Sequence, residues 1–134
     1  MKFLALPLLA ATVGSCAMVP PGPSPAQLAE SQAKFAQLTA GKVAGPPVSC
    51  LQTFRANDMV VIDDNTVAFK RGSGTVYVNH LEGGCSHLGQ GNYALVTRQS
   101  ASGLCRGDIA EVADVSNGIT VGSCVVGDFI PYSS

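Results

Sequence analysis

One short segment of the chain carries side chains that could bind a metal ion or act as nucleophiles. The segment holds two histidines, a glutamate and a cysteine: His80, Glu82, Cys85 and His87. Imidazole nitrogens and thiolate sulfurs are ligands that zinc prefers. A cysteine held in a disulfide is a poor ligand, however, and without it nothing fixes the geometry of the other groups. His80 and His87 are therefore metal-site candidates, but the sequence favours two surface histidines and no cofactor.

Two adjacent carboxylates, Asp63 and Asp64, could act as a general acid and a general base. Such a pair needs two environments that separate the two pKa values, whereas neighbouring residues of a strand point to opposite faces. In a tight turn, aspartate side chains accept hydrogen bonds from the local backbone. The sequence therefore favours a turn over a catalytic pair.

The glycine-rich segment of residues 83–91 invites comparison with a phosphate-binding loop. It lacks the lysine of a P-loop and the strand-to-helix context of a dinucleotide site, and the chain has no Gly-x-Ser-x-Gly motif. A reactive cysteine beside a histidine would require Cys85 to be free of a disulfide. The sequence therefore favours a non-catalytic protein over an enzyme.

Four of the five cysteines form an even set in the chain beyond Cys16. An even set in a small extracytoplasmic domain is typical of disulfides, so we expect two bridges, each stabilising the fold by about 2–4 kcal/mol. Four cysteines allow three pairings. We favour Cys50–Cys85 and Cys105–Cys124, because each pair lies within one run of neighbouring predicted strands.

The N-terminus has the features of an export signal. A single lysine precedes an apolar run over residues 3–13, which has signal-peptide length and is too short to cross a membrane as a helix. Residues 13–16 resemble the lipobox of bacterial lipoproteins, so we expect a signal peptide over residues 1–15 and a lipid on Cys16. The alternative is ordinary cleavage after Ala17. The odd cysteine favours lipidation, because a thioether leaves no free thiol.

The resemblance to lipoproteins implies a cell-envelope address. Three acyl chains on Cys16 would hold the protein firmly at a membrane, since each buried methylene contributes about 0.8 kcal/mol. Ala17 in the place of an aspartate implies, by analogy with lipoprotein sorting, an outer-membrane protein that faces the periplasm. Without the lipid, the chain would be secreted.

Charged side chains are few and scattered along the sequence. Removal of the signal peptide takes away Lys2 and leaves seven basic against nine acidic side chains, with no run of like charge. Nucleic acids and anionic lipid surfaces are usually met by clustered basic residues. The sequence therefore predicts neither as a partner and leaves the lipid anchor as the contact with the membrane.

Composition divides the exported chain into four parts. A proline-rich tether over residues 16–24 is followed by a helix over 25–41, a linker over 42–48 and a disulfide-bonded β domain over 49–134. Ser24 is a predicted N-cap, with proline at the first helical position and a glutamine that completes a capping box. The helix has a narrow apolar stripe, which favours docking on the domain: Leu28, Phe35 and Leu38.

The domain from residue 49 onwards contains a series of short predicted strands. Apolar and β-branched residues flank the turn residues 63–65, which predicts a hairpin. Residues 109–115 also fit helical spacing, and we interpret them as a strand because the turn residues 116–118 follow. The expected fold is mainly β, a small antiparallel sheet or barrel-like domain with two disulfides, preceded by one helix. The predicted strands are 59–62, 66–69, 75–78, 93–97, 109–115 and 119–121.

Four segments of the domain form a recognisable set in their order and spacing. They are Cys50 with residues 61–69, then residues 77–88, residues 103–109 and residues 122–132. Together they resemble an uncharacterised family of small secreted proteobacterial proteins, classified as a domain of unknown function. The resemblance implies a periplasmic or secreted disulfide-bonded domain and brings no catalytic residues.

Residues 100–103 resemble a short segment of the periplasmic lysozyme-inhibitor lipoproteins, although the lysine-bearing second motif of those inhibitors is absent. We expect a non-catalytic envelope lipoprotein that binds a protein or another ligand through the long loop over residues 81–91. The alternatives are an inhibitor of a periplasmic enzyme, a metal-dependent hydrolase centred on His80 and His87, or a structural component of the envelope.

Overall fold

The computed structural model describes Gly14 and residues 24–52, 55, 58–72, 74–98 and 100–134. The predicted lipidation site at Cys16 lies outside the described residues, as do the signal peptide apart from Gly14 and the tether apart from Ser24. The fold is mainly β, with 46% strand and 15% helix, and the helix precedes the sheets as predicted. Within the described ranges, no helix is long and apolar enough to span a membrane.

The helix α1 spans Pro25–Thr39 and begins with the predicted cap. The Ser24 hydroxyl accepts a hydrogen bond from the Gln27 amide at 3.2 Å, and the Gln27 side chain accepts one from the Ser24 amide at 2.9 Å. Two of the amides left unpaired at a helix start are satisfied in this way. Gly41, with a φ of 70°, adopts the left-handed conformation that favours glycine just beyond the helix end.

The described residues form ten strands in three antiparallel sheets. The strands are β1 (Val43–Ala44), β2 (Cys50–Leu51), β3 (Met59–Asp63), β4 (Thr66–Arg71), β5 (Thr75–His80), β6 (Tyr93–Thr97), β7 (Leu104–Cys105), β8 (Ile109–Asp114), β9 (Thr120–Val125) and β10 (Phe129–Ser133). The largest sheet has the order β1-β10-β5-β4-β3. A second sheet pairs β2 with β7, and the third has the order β6-β8-β9.

Local turns and one long-range return build the largest sheet. The chain turns at residues 64–65 between β3 and β4, as predicted, and Gly72 and Gly74 are turn residues between β4 and β5. The return is β10, which lies between β5 and β1 although it contains Pro131. In an antiparallel strand, the N–H and the C=O of one residue point toward the same neighbouring strand. The Pro131 carbonyl accepts a hydrogen bond at 2.7 Å from the amide of Gly45, the residue just after β1. The missing N–H of Pro131 therefore faces the point where the two-residue strand β1 has ended.

The largest sheet is buried on both faces, because alternate residues of β4 enter two different clusters. Val67 and Phe69 point toward the other two sheets, and Ala68 points toward α1. The first cluster lies between the three sheets: Leu51, Val67, Phe69, Leu81, Cys85, Leu88, Leu95, Leu104, Ala110, Val112, Cys124, Val126 and Phe129. The second cluster lies under the helix: Ile62, Ala68, Val76 and Val78.

The helix covers the second cluster with only part of its predicted apolar stripe. Phe35 and Leu38 pack against the cluster, and the Phe35 ring contacts the Tyr132 ring edge-on with centroids 5.7 Å apart. Leu28 remains 48% exposed. The helix has no fully buried residue, so its attachment to the sheet depends on a small contact area.

The two predicted disulfides are present, but the predicted pairing is wrong. The structure pairs Cys50 with Cys105 and Cys85 with Cys124. Pairing of β2 with β7 places Cys50 directly opposite Cys105, with Cα atoms 4.0 Å apart. A backbone bridge then brings the loop after β5 beside β9, which carries the partner of Cys85. These bridges join residues 55 and 39 positions apart, so strand pairing rather than closeness in sequence decides them.

Part of the predicted linker over residues 42–48 belongs to the largest sheet. Its residues 43–44 form β1 and pair with β10, and Val48 forms an isolated bridge with Phe129. The segment with ambiguous spacing is a strand, Ile109–Asp114, as predicted. The sequence does not predict β1, β2 or β7, because two residues are too few to show a period. It also does not predict β10, Phe129–Ser133, which contains a proline and no alternating apolar pattern.

Candidate binding groove

The two histidines have separate structural neighbours. His80 ends β5, and its Nδ1 atom lies 3.5 Å from the Thr66 hydroxyl. The His87 ring stacks on Tyr93 with centroids 5.4 Å apart, and its Nδ1 atom lies 3.4 Å from the side-chain oxygen of Gln90. The two imidazole rings therefore contact different residues, His80 at the end of β5 and His87 in the loop that follows.

Cys85 does not join the histidines as a ligand, because it is fully buried and bonded to Cys124. Among the residues that the structure describes, no three histidine, cysteine, aspartate or glutamate side chains lie close enough to hold a metal ion. The segment with His80, Glu82 and His87 is therefore not assembled into the metal centre that its residue types suggested.

Asp63 bonds the backbone of its own turn, as the turn interpretation predicts, whereas for Asp64 that prediction is wrong, because its carboxylate bonds the backbone of a distant loop. The Asp63 carboxylate accepts a hydrogen bond from the Asn65 amide at 2.8 Å. The Asp64 carboxylate accepts one from the Gly89 amide at 2.6 Å. The first bond closes the β3–β4 turn, and the second fastens the loop after β5 to that turn.

The loop over residues 81–91, which the sequence suggested as a binding loop, is held to the core at several points. Leu81 and Leu88 are buried, and the Leu81 amide donates to the Asn65 carbonyl at 2.6 Å. His87 has a φ of 73°, which is uncommon for a residue with a side chain. The loop is thus a fastened element of the fold with an exposed outer surface.

Residues 100–103 form a tight turn. The amides of Ser100 and Gly103 donate to each other's carbonyls at 3.1 and 3.0 Å, and the Ser102 amide donates to the Ser100 hydroxyl. Gly103 has a φ of 87°, and a Cβ atom there would collide with the Leu51 carbonyl. The tight turn therefore explains why the residues of this segment are small.

The structure brings together a set of residues that are far apart in the sequence. They line an open groove of about 420 Å³ between α1 and the largest sheet, and we call it the lysine groove. Three lysines and three apolar side chains contribute to it. Its lining residues are Lys34, Gln37, Leu38, Lys42, Val60, Lys70, Gly72, Thr75 and Val76.

The three lysines of this groove face little opposing charge. The Lys34 ammonium lies 3.4 Å from the Glu30 carboxylate one helical turn away, in a pair that is exposed to solvent. Lys42 and Lys70 form no ion pair with any described residue, and the described residues include all nine aspartates and glutamates of the chain. No carboxylate side chain lines the groove, so its electrostatic potential is positive.

A second groove of about 220 Å³ adjoins the first and shares Lys70 and Gly72 with it. We call it the arginine groove, because Arg55 and Arg71 line it. One carboxylate, Asp58, is also present and accepts a hydrogen bond from the Arg55 amide at 3.3 Å. The two grooves together gather five of the eight basic side chains of the protein.

Acidic side chains gather at the other end of β4. A third groove, of about 330 Å³, runs between the N-terminal half of α1 and the β3–β4 turn, and we call it the acidic groove. Its charged lining residues are Glu30, Asp63 and Asp64, together with Lys34, which it shares with the lysine groove. The strand of six residues between the two ends is about 20 Å long. The fold therefore separates the charges of a chain whose sequence shows no charged run.

The lysine groove is not predictable from the sequence, because its cations are far apart in the chain. Only the adjacent pair Lys70 and Arg71 gives a local signal, and a pair is too short to predict a patch. The other cations lie on separate parts of the chain, and they come together only when these parts pack against each other. No family model, curated protein or solved structure matches the chain, so its own residues are the basis for a functional interpretation.

Proposed function

We propose that the protein is a non-catalytic binding protein of the cell envelope and that the lysine groove holds an anionic ligand. The observation that carries this proposal is the convergence of Lys34, Lys42 and Lys70 on one groove that no carboxylate lines. An anion in the groove would offset the mutual repulsion of the three ammonium groups. Charge-assisted hydrogen bonds of this kind are about twice as strong as neutral ones.

The end of α1 opposes this attraction only weakly. A helix C-terminus carries about half a negative charge on its unpaired carbonyls. The Thr39 carbonyl accepts a hydrogen bond from the Lys42 amide at 3.0 Å, and the Phe35 carbonyl accepts one from the Thr39 hydroxyl at 2.8 Å. Of these two carbonyls, that of Thr39 is among the last four of the helix and is thereby satisfied within the protein. The charges of Lys42 and Lys70, which form no ion pair with a described residue, outweigh the remainder.

The groove favours a phosphate or carboxylate group over a nucleic acid. Proteins that bind single strands without sequence preference stack bases on exposed aromatic rings. Phe69 is the aromatic residue among the described lining residues of the two basic grooves, and it is 1% exposed. The basic residues are scattered in the sequence but clustered in space. The burial of Phe69 is a physical reason to keep the prediction against nucleic acid.

An envelope address agrees with the two disulfides, which form and persist outside the cytoplasm. The proposal includes a signal peptide over residues 1–15, a lipid on Cys16 and outer-membrane anchoring that faces the periplasm. Intact mass of protein recovered from a Gram-negative envelope tests it. A lipid adduct on a chain that starts at Cys16 is expected, and an unmodified chain would make the protein a secreted one.

The anion site is tested by NMR titration of the disulfide-bonded chain with inorganic phosphate. Amide shifts are expected to saturate around the lysine groove. The double variant Lys42→Gln/Lys70→Gln should weaken phosphate binding at least fivefold, because both lysines lack a carboxylate partner. The matched control Arg98→Gln/Arg106→Gln removes the same charge from outside the two basic grooves and should bind phosphate as the wild type does.

Two results would contradict the anion site. One is an absence of saturable shifts, and the other is an equal loss of affinity in the groove variant and the control. The described residues offer no observation that favours the sequence alternatives, an inhibitor of a periplasmic enzyme or a hydrolase centred on His80 and His87.

A further inference from the structure

We propose that the natural anionic partner is a phospholipid membrane surface, which the protein contacts with the end of the β4–β5 hairpin. This inference rests on the proposed anion site and names the source of the anion. It replaces the sequence prediction against an anionic lipid surface, because cations that are scattered in the sequence line two adjoining grooves. We call this end of the domain the basic tip; its cations are Lys34, Lys42, Arg55, Lys70 and Arg71.

The cations of the basic tip lie on both faces of the sheet. Lys70 is paired with Val76, which belongs to the cluster under α1, so Lys70 points toward the helix side. Arg71 is the next residue along β4 and points to the opposite face. The two basic grooves therefore meet around the hairpin end, at Gly72, instead of forming one concave pocket.

This arrangement fits an extended layer of phosphates better than a single small anion. A small anion can occupy one groove, but it cannot contact side chains on both faces of a sheet at once. A membrane surface can receive the hairpin end with lysines on one side and arginines on the other. Asp58 and Glu30 reduce the net charge of this region but leave it positive by three.

The opposite end of the domain carries the complementary charge pattern. Asp63 and Asp64 line the acidic groove, about 20 Å away along β4. Glu30 also lines that groove, but it pairs with Lys34, which lines both the acidic groove and the lysine groove. An anionic surface attracts one end and repels the other, and at physiological salt the attraction acts over about 8 Å. The charge separation thus favours one orientation, with the basic tip toward the membrane.

The length of the predicted tether permits this orientation. The helix of 15 residues is about 22 Å long, and the basic tip lies toward its C-terminal end. The eight residue steps from Cys16 to Ser24 can reach at most about 28 Å. A protein anchored at Cys16 could therefore place the basic tip on the same membrane.

The test is sedimentation with vesicles of the chain from residue 16 onwards, which lacks the apolar signal peptide and carries Cys16→Ser so that it stays unacylated. Vesicles of phosphatidylglycerol and phosphatidylcholine are compared with vesicles of phosphatidylcholine alone. We expect binding to the anionic vesicles only, with each neutralised cation lowering affinity about fivefold. Both Arg55→Gln/Arg71→Gln and Lys42→Gln/Lys70→Gln should therefore lose about 25-fold, whereas Arg98→Gln/Arg106→Gln should retain binding.

The outcomes separate this inference from the anion site itself. Saturable phosphate binding without vesicle binding overturns the membrane contact and leaves the anion site standing. Loss of vesicle binding in the lysine variant but not in the arginine variant overturns the two-faced contact. Soluble polyphosphate serves as a second arm: if it binds more tightly than the anionic vesicles, the partner is a free polyanion and the inference is wrong.

Discussion

The Asn79 side chain and the Gly127 backbone form a buried pair of reciprocal hydrogen bonds. The Asn79 amide donates to the Gly127 carbonyl at 2.8 Å, and the Gly127 amide donates to the Asn79 side-chain oxygen at 2.9 Å. Asn79 is fully buried, and a Cβ atom at Gly127 would collide with the His80 carbonyl. The pair fixes the chain just before β10 against β5, so the central return of the sheet depends on it.

Removal of this side chain should be among the costliest polar substitutions in the protein. Asn79→Ala leaves the buried N–H and C=O of Gly127 without partners, and we expect a loss of about 2–4 kcal/mol in the free energy of unfolding. Urea denaturation measures it. Asn92→Ala, at an exposed position, is the control and should change stability by less than about 0.5 kcal/mol. Equal losses of stability in Asn79→Ala and Asn92→Ala would show that the hydrogen bonds between Asn79 and Gly127 contribute no more than an exposed side chain does.

The disulfide pairing can be read directly from tryptic peptides, because each of the four cysteines falls in a different one. Cleavage after lysine and arginine releases residues 43–55, 72–98, 99–106 and 107–134, with one cysteine each. Without reduction, we expect 43–55 linked to 99–106 and 72–98 linked to 107–134. A linked pair of 43–55 with 72–98 would restore the pairing favoured by sequence alone.

Loss of either bridge should destabilise the domain, and loss of Cys85–Cys124 should cost more. The sequence separations of 55 and 39 residues correspond to about 4 kcal/mol each in the chain-entropy model. Paired replacement by alanine, Cys50→Ala/Cys105→Ala or Cys85→Ala/Cys124→Ala, tests this by thermal unfolding. The second pair is also part of the apolar core, so its loss should cost more. The opposite ranking would show that burial of the sulfurs adds little.

Docking of α1 should control the lysine groove, because the helix supplies Lys34 and positions Lys42. Phe35→Ala removes the edge-on contact with Tyr132, and we expect a loss of about 2 kcal/mol for this half-buried ring. Hydrogen exchange should speed up across α1, and phosphate affinity should fall while the sheets stay protected. Leu28→Ala, at an exposed position on the same helix, should leave both measurements unchanged. Unchanged phosphate affinity in Phe35→Ala would show that the helix does not form the site.

The Asp114 carboxyl, in the turn after β8, should titrate below the usual pH range of an aspartate. Hydrogen bonds from the Ser116 hydroxyl, at 2.6 Å, and the Ser116 amide, at 2.8 Å, lower the pKa of Asp114 from its ordinary value of 3.8. Because the folded-state pKa is depressed, the contribution to stability is present above about pH 3.8 and is lost as the pH falls through the folded value.

Carbon-detected NMR titration of the Asp114 carboxyl measures this shift. Ser116→Ala removes the hydroxyl donor, which is the larger cause, so the pKa of Asp114 should rise toward 3.8. Ser123→Ala, at an exposed position of β9, should leave the titration of Asp114 where it is. A midpoint for Asp114 that is the same in wild type and Ser116→Ala would contradict the assigned cause.

Local features of this chain were predictable from the sequence by itself. The capping box at Ser24, the β3–β4 hairpin and the strand at residues 109–114 each depend on residues close together in the chain. The presence of two disulfides follows from the even number of cysteines beyond Cys16. Such features follow from backbone preferences, side-chain period and cysteine number. They need no knowledge of which strand lies beside which.

Only the tertiary structure decided the cysteine partners, the return of β10 and the gathering of basic residues around Lys70. Each depends on pairing between segments that are tens of residues apart, and the free-energy cost of closing such loops changes little from one pairing to another. Burial of the core and the register of the strands select among these pairings. The scattered cations meet because the strands that carry them pack that way.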